Sequence, residues 1–314
     1  MRRLLLRRLA ATVPVLFLVS ILAFSLVQLV PGDPAVTLAG DSPTDAQIAA
    51  IRDQLGLNQS LFGQYFSWLG SVLSGDLGTS LFSAQPVLDA INQRLPVTLY
   101  LVLGALVTAV LLGVPLGVIA GAHHGRIADR IASVITAVAL SAPSYVVGLV
   151  LIVFLANRLQ WFPPTGYVDL SAGVGEWARH LVLPSIALGL VPAAILARQL
   201  RSALIGVLAQ DYTRTATAKG LPRRTVLLKH ALKNAAVPGV TALGTQMAVV
   251  IGSTVLIEQI FGIQGLGALA YNAALQQDIP VIQGVVLVCA VAVQVINLGV
   301  DVMYGWLNPK LRAA

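Results

Sequence analysis

Basic side chains are concentrated between residues 198 and 233, a stretch that holds eight of the chain's 20 Lys and Arg residues and a single acid, Asp211. The eight are Arg198, Arg201, Arg214, Lys219, Arg223, Arg224, Lys229 and Lys233. Guanidinium and ammonium groups bind partners through charge-assisted hydrogen bonds. Long uncharged apolar runs lie on both sides, so the pattern indicates a docking surface displayed between two membrane-spanning segments.

The sequence carries no catalytic or metal-binding pattern. His123 and His124 are adjacent, but no further ligands accompany them, and such a pair is more typical of a membrane interface than of a metal site. Neither HExxH nor the phosphate-binding pattern GxxxxGK[ST] occurs in the sequence. We therefore predict no catalytic residue, no metal site and no cofactor bound by this chain.

The composition is that of a polytopic membrane protein. The 314 residues are 57% hydrophobic and 11% charged, whereas about a quarter of the residues in soluble domains are charged. Uncharged runs that can cross a bilayer, which takes roughly 20 residues, are Leu9–Val30, Leu95–Ala122, Ile131–Asn157, Leu181–Ala197, Ala235–Ile257 and Ile279–Val300. We predict an all-α protein with six transmembrane helices, the fourth of them short and containing Pro184 and Pro192.

The charge distribution predicts the orientation. Sixteen of the basic residues fall in the two tails and in the connections between spans two and three and between spans four and five. Cytoplasmic segments carry such an excess, so both termini are predicted to be cytoplasmic. Topology accounts for these charges, so they do not indicate nucleic-acid binding. No span has an ionisable residue near its middle, which argues against a proton-coupled carrier.

Two parts are expected along the chain. Residues 1–94 combine a retained first helix with an outer segment, in which we predict short helices at Thr44–Leu55, capped by Ser42 with Pro43 next, and at Leu61–Leu73. Residues 95–314 form a five-span core with a cytoplasmic loop at about 206–236. The outer segment is too long for a bare connection.

The centre of the basic stretch predicts a bent pair of helices. Asp211 is a suitable helix cap, and Tyr212–Lys219 is compatible with a helix that Gly220 ends in the left-handed conformation. Pro222 suits the first turn of a second helix at Thr225–Ala236. A sharp bend between two helices is stiff enough to transmit a displacement.

This stretch resembles the cytoplasmic coupling loop of ATP-binding-cassette importer permeases. That family carries Glu-Ala-Ala, three further residues and Gly. With the glycine at Gly220, the first three positions are Arg214, Thr215 and Ala216, of which only Ala216 matches. Arg-Thr-Ala followed by Ala218-Lys219-Gly220 is similar to the dipeptide, oligopeptide and nickel branch. Residues 230–235 and Pro238 are similar to that branch as well.

The resemblance extends over essentially the whole chain. Similar positions in the first permease subunit of peptide importers correspond to Pro31-Gly32-Asp33-Pro34-Ala35, Leu55-Gly56-Leu57, Gln64-Tyr65, Gly75-Asp76-Leu77-Gly78, Ser80, Glu258, Phe261, Gly265, Gly267, Asp278, Pro280 and Gly284. Each motif alone is weak, and their order over three hundred residues makes the resemblance specific.

The resemblance implies a type I importer permease that forms half of a pore for di- or oligopeptides in the bacterial plasma membrane. Implied partners are a second homologous permease subunit in a heterodimer, one or two cytoplasmic ATPase subunits that bind ATP and Mg, and an extracytoplasmic substrate-binding protein. The residues implied to contact the ATPase are Asp211, Tyr212, Arg214, Thr215, Ala216, Lys219 and Gly220. Nickel or glutathione import is the alternative within this family, and a secondary carrier without ATPase subunits is the alternative outside it.

Four polar residues are candidates for an outer gate or a cargo path: Tyr145, Gln246, Glu258 and Asp278. For Glu258 and Asp278, hydrogen bonding within the outer loops is the slightly favoured alternative. For Tyr145 and Gln246, the alternative is a hydrogen bond between helices.

Overall fold

The computed structural model describes residues 2–29, 36, 44–54 and 58–307. Every regular element in these ranges is helical, and one isolated bridge joins Thr79 and Pro86. The prediction of an all-α protein is thus confirmed. The α-helices are α1 (Arg2–Leu29), α2 (Asp45–Gln54), α3 (Leu61–Leu73), α4 (Val87–Ala122), α5 (Ile127–Ser141), α6 (Ser144–Leu151), α7 (Val174–Leu208), α8 (Asp211–Ala218), α9 (Arg223–Thr225), α10 (Leu232–Phe261), α11 (Leu266–Gln276) and α12 (Ile279–Leu307).

Among the described residues, four helical segments are long and apolar enough to cross a membrane: Val87–Ala122, Val174–Leu208, Arg223–Phe261 and Ile279–Val300. A fifth span results if Ile127–Ser141 and Ser144–Arg158 count as one, although the two helices are bent by 101°. The first predicted span corresponds to α1, whose apolar part, Ala10–Leu26, is shorter. The count of six and the orientation of the termini stay predictions.

The fourth span differs from its prediction. The helix α7 has 35 residues and contains both Pro184 and Pro192, so the expected short span of 17 apolar residues is wrong. Prolines are tolerated in membrane helices because neighbouring helices compensate for the lost backbone hydrogen bonds. Both prolines are buried, and 67% of the apolar window of α7 is buried against 28–33% for the other three long segments. The fourth span is therefore an interior helix.

The third span is also not a single straight helix. Helix α5 ends at Ser141, Pro143 caps α6 with a φ of −58°, and a π-helical turn, Ile152–Arg158, follows α6. The residue before a proline is pushed out of the helical conformation, and Ala142 is accordingly extended, with a ψ of 119°. The uncharged run in the sequence conceals this bend.

The chain forms two compact units. One is built mainly from Pro96–Ala268, and its core includes buried Leu200, Leu204, Ala231 and Ala235. The other contains Leu269–Ala292 and the described residues between Arg7 and Leu95. In this second unit, Tyr65 of α3 packs edge-on against Phe24 of α1.

Helix α3 has the bounds predicted from the sequence, because Ser60 caps it by accepting a hydrogen bond from Gly63 N. Helix α2 covers Asp45–Gln54 of the predicted Thr44–Leu55. The predicted cap at Ser42 and Pro43, and the proline-rich residues 31–35 after the first helix, lie outside the described residues.

Candidate coupling site

The helix predicted for coupling is present as α8, and two residues separate its start at Asp211 from the end of α7 at Leu208. Its cap is Gln210, whose carbonyl accepts hydrogen bonds from Thr213 N (3.1 Å) and Arg214 N (3.2 Å). The expectation that Asp211 is the cap is wrong by one position. Asp211 lies in the first turn instead, where a carboxylate interacts favourably with the positive end of the helix dipole.

A buried threonine fastens α8 to the end of α7. The hydroxyl of Thr213 lies 2.6 Å from the carbonyl oxygen of Gln210 and 3.0 Å from that of Leu208, and the residue is 2% exposed. The carbonyl oxygen of Val207 is also within reach, at 3.3 Å. A hydroxyl has one proton to donate, so these three carbonyls share it. Sequence reasoning missed this residue, although alternate threonines at 213, 215 and 217 mark the helix.

The end of α8 is a Schellman motif. Gly220 N donates to Thr217 O (3.0 Å), and Leu221 N donates to Ala216 O (3.3 Å). These are the two bonds that define the motif, and it requires a left-handed residue between them. Gly220 has a φ of +77°, and a Cβ placed on it would meet no atom within 4 Å. The bend predicted at Gly220 is therefore present and depends on its backbone conformation.

The second arm of the bend is longer than predicted. Pro222, with a φ of −61°, caps the next segment and accepts hydrogen bonds from Thr225 N and Val226 N. Helical structure then continues through a π-helical turn to Phe261, so the expected end at Ala236 is wrong. The turn signal Pro238-Gly239 follows Ala236 closely, but both residues are accommodated inside α10, because neighbouring helices compensate for the lost backbone hydrogen bond. The bend thus joins the coupling helix directly to the fifth span.

Both arms pack on α7. Leu200 and Leu204 of α7 form a buried cluster with Ala231 and Ala235 of the second arm. A hydrogen bond of 2.9 Å from Asn234 Nδ2 to the hydroxyl of Tyr212 joins the second arm to α8. The bend is consequently stiff, because each of its arms is held by contacts outside its own helix.

The predicted contact residues are available at the surface of the chain. The side chains of Asp211 and Arg214 are 99% and 73% exposed, and their charged atoms are 3.9 Å apart. Thr215 and Lys219 are also exposed, whereas Ala216 is half-buried. Tyr212 and Gly220 are exposed as well. An exposed ion pair at this distance is weak, so these groups remain free to bind a partner.

Glu258 lies in a buried hydrogen-bonded cluster at the C-terminal end of α10. Its carboxylate accepts from the Thr98 hydroxyl (2.8 Å) and from Ala268 N (2.7 Å), and the Thr98 oxygen in turn accepts from Leu266 N (2.8 Å). The residue is 0% exposed. A Cβ at Gly265 would lie 2.4 Å from the carboxylate, so only glycine allows this approach. The arrangement holds Thr98 of α4, the end of α10 and the start of α11 together.

Asp278 is buried in the other unit, directly before α12. Its carboxylate accepts hydrogen bonds from the Ser80 hydroxyl and from Leu81 N at 3.2 Å. The Ser80 oxygen accepts from Ser83 N at 3.0 Å. The carboxylates of Glu258 and Asp278 are therefore both occupied by hydrogen bonds inside their own units, and the structure does not place either of them in a described cavity.

A polar groove lies between α7 and α10 and has a volume of about 520 Å³. Its lining residues are Ile195, Gln199, Val237, Pro238, Thr241, Ala242, Thr245 and Gln246. Gln246 is thus in the groove, and Tyr145, 42% exposed, lies at the start of α6. Gln199 was not predicted from the sequence. The feature that could have indicated it is an amide side chain at the end of an apolar run.

The connection between α6 and α7 is fixed by hydrogen bonds within it and to α10. Gly166 N donates to Phe261 O at 2.7 Å, which ties the connection to the end of α10. Asp169 accepts a hydrogen bond from Ser171 N at 2.9 Å, and this bond holds the pKa of the carboxyl below its usual range. Burial raises the pKa of the Tyr167 hydroxyl.

Two family models match the sequence. Residues 113–313 match the model described as binding-protein-dependent transport system inner membrane component, and residues 1–102 match the model of the N-terminal part of such a membrane component. The chain belongs to this family. It is therefore a non-catalytic, multi-pass inner-membrane permease of an ATP-binding-cassette importer, and ATP hydrolysis takes place in a partner ATPase.

Similar proteins support the assignment over the full length of the permease. A probable peptide ABC transporter permease protein, y4tP, from Sinorhizobium fredii is 40% identical over 308 residues, which are 98% of each chain. The glutathione transport system permease protein GsiC from Escherichia coli K12 is 38% identical over 306 residues, 98% of this chain and 97% of GsiC.

A solved structure has the same fold. A chain of the MetNI methionine ABC transporter, in an inward-facing conformation, superposes with a TM-score of 0.58 at 18% sequence identity. The match covers 70% of the permease and 96% of that chain. The type I importer fold expected from the sequence is thereby confirmed.

Proposed function

We propose that the permease forms half of the transmembrane pathway of an ATP-driven importer of di- and oligopeptides. A second homologous permease completes the pathway as a heterodimer, one or two ATPase subunits that hold ATP and Mg dock on the cytoplasmic side, and an extracytoplasmic binding protein delivers the cargo. The observation that carries this proposal is the exposed coupling helix α8, which a stiff bend at Gly220 joins to the span Arg223–Phe261.

We propose that the ATPase contacts the coupling surface made of Asp211, Tyr212, Arg214, Thr215, Ala216, Lys219 and Gly220. This surface presents two cations and one carboxylate on a helix whose other side is anchored by Thr213. A displacement applied to the exposed side moves α7 and α10 together, because the same bend is packed on both. The excess of basic residues favours a cytoplasmic position for this surface and for both termini in a bacterial cell.

The lining of the groove supports a peptide as cargo. Gln199, Thr241, Thr245 and Gln246 offer amide and hydroxyl groups that can hydrogen-bond to peptide backbone. Within this groove there is no carboxylate, imidazole or thiol, the groups that would bind nickel. The similarity to y4tP, named as a peptide permease, agrees with this choice. Glutathione, itself a tripeptide, stays the second candidate because of the similarity to GsiC.

The cargo path is the groove rather than the lipid-facing surface. An exposed polar side chain against lipid is costly, and α4 and α5 expose many large apolar side chains, among them Leu111 and Val134. Thr241 and Thr245 are exposed on α10 in the same way, so their side of α10 faces water or a partner. Gln246 belongs to this path, and Tyr145 is a further candidate for it. Glu258 and Asp278, whose carboxylates are hydrogen-bonded within their own units, suit a structural role at the outer gate rather than cargo contact.

Reconstitution tests the function. The permease is purified with its second permease and ATPase subunits, placed in proteoliposomes with the binding protein outside, and supplied with ATP inside. We expect ATP-dependent uptake of a labelled dipeptide, weaker uptake of glutathione and none of Ni²⁺. Uptake of Ni²⁺ alone, or dipeptide uptake that continues without ATPase subunits, would contradict the proposal.

Thiol labelling tests the path. In a Cys289→Ser background, Thr245→Cys should be blocked by a membrane-impermeant thiol reagent during turnover, with loss of uptake. Leu111→Cys, on the exposed apolar side of α4, is the matched control and should keep its uptake. If the thiol reagent reduced uptake equally in the two variants, the assignment of the groove as the cargo path would be contradicted.

A further inference from the structure

A buried carboxylate closes the cytoplasmic turn between α4 and α5. Asp129, in the first turn of α5, accepts a hydrogen bond from Gly125 N at 2.9 Å, and its side chain is 4% exposed. His124 Nδ1 lies 3.2 Å from the same carboxylate. Burial of a charge requires several partners to offset its desolvation, and the turn alone supplies only part of them.

The main partner of Asp129 comes from α7. Arg201 Nε and Nη2 lie 2.5 Å and 2.9 Å from the two carboxylate oxygens, so the guanidinium binds both oxygens at once. Such a two-pronged contact fixes orientation as well as distance, which a lysine could not do. Arg201 stands ten residues before Asp211, the first residue of the coupling helix.

A second arginine reaches the same turn from the other side of the coupling helix. Arg223, three residues after Gly220, donates from Nη2 to the carbonyl oxygen of Ala122 at the end of α4. The turn at residues 122–129 is thus tied to both flanks of the coupling helix, through Arg201 before it and Arg223 after it.

Helices α4 and α7 are also in close backbone contact along the span. Gly113, Gly117 and Gly121 of α4 face α7 so closely that a Cβ would lie 2.6–2.8 Å from its atoms. Small residues at every fourth position allow such close contact between membrane helices. Helices α4 and α7 therefore move as a pair, and the arginine contacts extend the pair to α5.

We propose that Asp129 is a positioning residue, which, together with Arg201 and Arg223, transmits displacement of the coupling helix to α4 and α5. The inference rests on the proposed function. When an ATPase moves the coupling helix, both of its flanks shift, and the turn at 122–129 follows because it is bonded to each. Without these bonds, α7 and α10 move while α5 lags, and ATP hydrolysis no longer produces a complete change in the pathway.

The test compares uptake with ATP hydrolysis in the reconstituted transporter. Arg223→Ala removes a bond from an exposed side chain, so the variant should fold, and we expect uptake per ATP hydrolysed to fall at least about fivefold while ATP hydrolysis continues. Arg201→Lys keeps the charge but loses the two-pronged contact, and should lie between wild type and Arg201→Ala. The control is Arg130→Ala, an exposed arginine beside Asp129 with no side-chain bond to the described residues, and it should match wild type.

The possible outcomes distinguish this inference from the proposed function. Parallel loss of uptake and ATP hydrolysis in the Arg201 and Arg223 variants would mean a purely structural role and overturn the inference. Equal behaviour of Arg223→Ala and Arg130→Ala would overturn it as well. Failure of the wild-type transporter to couple ATP to uptake would instead overturn the proposed function, and this inference with it.

Discussion

Substitution of Gly220 by valine isolates the contribution of one backbone conformation to coupling. The residue has a φ of +77°, and nothing lies within 4 Å of the position that a Cβ would occupy. The substitution therefore introduces no clash with neighbouring atoms. Its whole effect comes from the resistance of a β-branched residue to the left-handed conformation.

The size of the effect follows from the two states open to the variant. Holding the left-handed conformation costs a residue with a side chain about 1–2 kcal/mol. Escaping it breaks the Schellman bonds of Gly220 N and Leu221 N, each worth about 0.5–1.5 kcal/mol. Escape therefore costs about 1–3 kcal/mol in total. Since the variant takes the less costly route, the bent state loses at most about 1–2 kcal/mol, which is a factor of about 5–30 in its population relative to competing conformations.

Uptake per ATP hydrolysed, measured in proteoliposomes, should fall by a factor of this order in Gly220→Val, with normal membrane insertion. Gly220→Asn should retain most coupling, because asparagine enters the left-handed region more readily. Gly175→Val is the matched control: this helical glycine also has open space around its Cβ position but no positive φ, so we expect wild-type coupling. Full coupling in Gly220→Val, or an equal defect in Gly175→Val, would refute the reasoning.

Two further substitutions test the buried contacts that hold the site in place. Thr213→Val keeps the shape of the side chain but removes the hydroxyl that donates to the Leu208 and Gln210 carbonyls. We expect the free energy of unfolding to fall by about 1 kcal/mol, measured as a lower unfolding temperature in detergent. The control Thr215→Val, on the exposed side of α8, should lower that temperature less. Glu258→Gln places an NH₂ group against either the Thr98 hydroxyl or Ala268 N, both of which donate hydrogen bonds. We expect the free energy of unfolding to fall by about 1–3 kcal/mol. An unchanged unfolding temperature would show that the carboxylate is not required.

Local signals made the coupling bend predictable. A glycine followed by Leu-Pro determines where one helix stops and the next begins, and both events depend on residues within a few positions of Gly220. The bounds of α3 were predictable for the same reason, since Ser60 acts on the backbone three residues away. The shift of the cap from Asp211 to Gln210 is an error of the size expected at helix ends.

Long-range contacts account for what the sequence could not predict. The partners Arg201 and Asp129 are 72 residues apart, Arg223 and Ala122 are 101 apart, and Thr98 and Glu258 are 160 apart. No spacing rule links such pairs. The same holds for the prolines of α7: alone they predict a short or broken helix, and burial among neighbouring helices reverses that outcome.

The polar groups of the permease divide by burial into two functional kinds. Asp129, Glu258 and Asp278 are buried with their oxygens occupied, so they define geometry and have no capacity left to bind cargo or ATPase. Arg214 and Lys219 on the coupling helix, and Thr241 and Thr245 in the groove, are exposed and keep that capacity. Substitutions of the first kind should therefore alter stability or the ratio of uptake to ATP hydrolysis, whereas those of the second kind should alter affinity for a partner or cargo and leave that ratio intact. The sequence cannot separate the two kinds, because a carboxylate that holds two helices together and one that binds a ligand look alike until their partners are known.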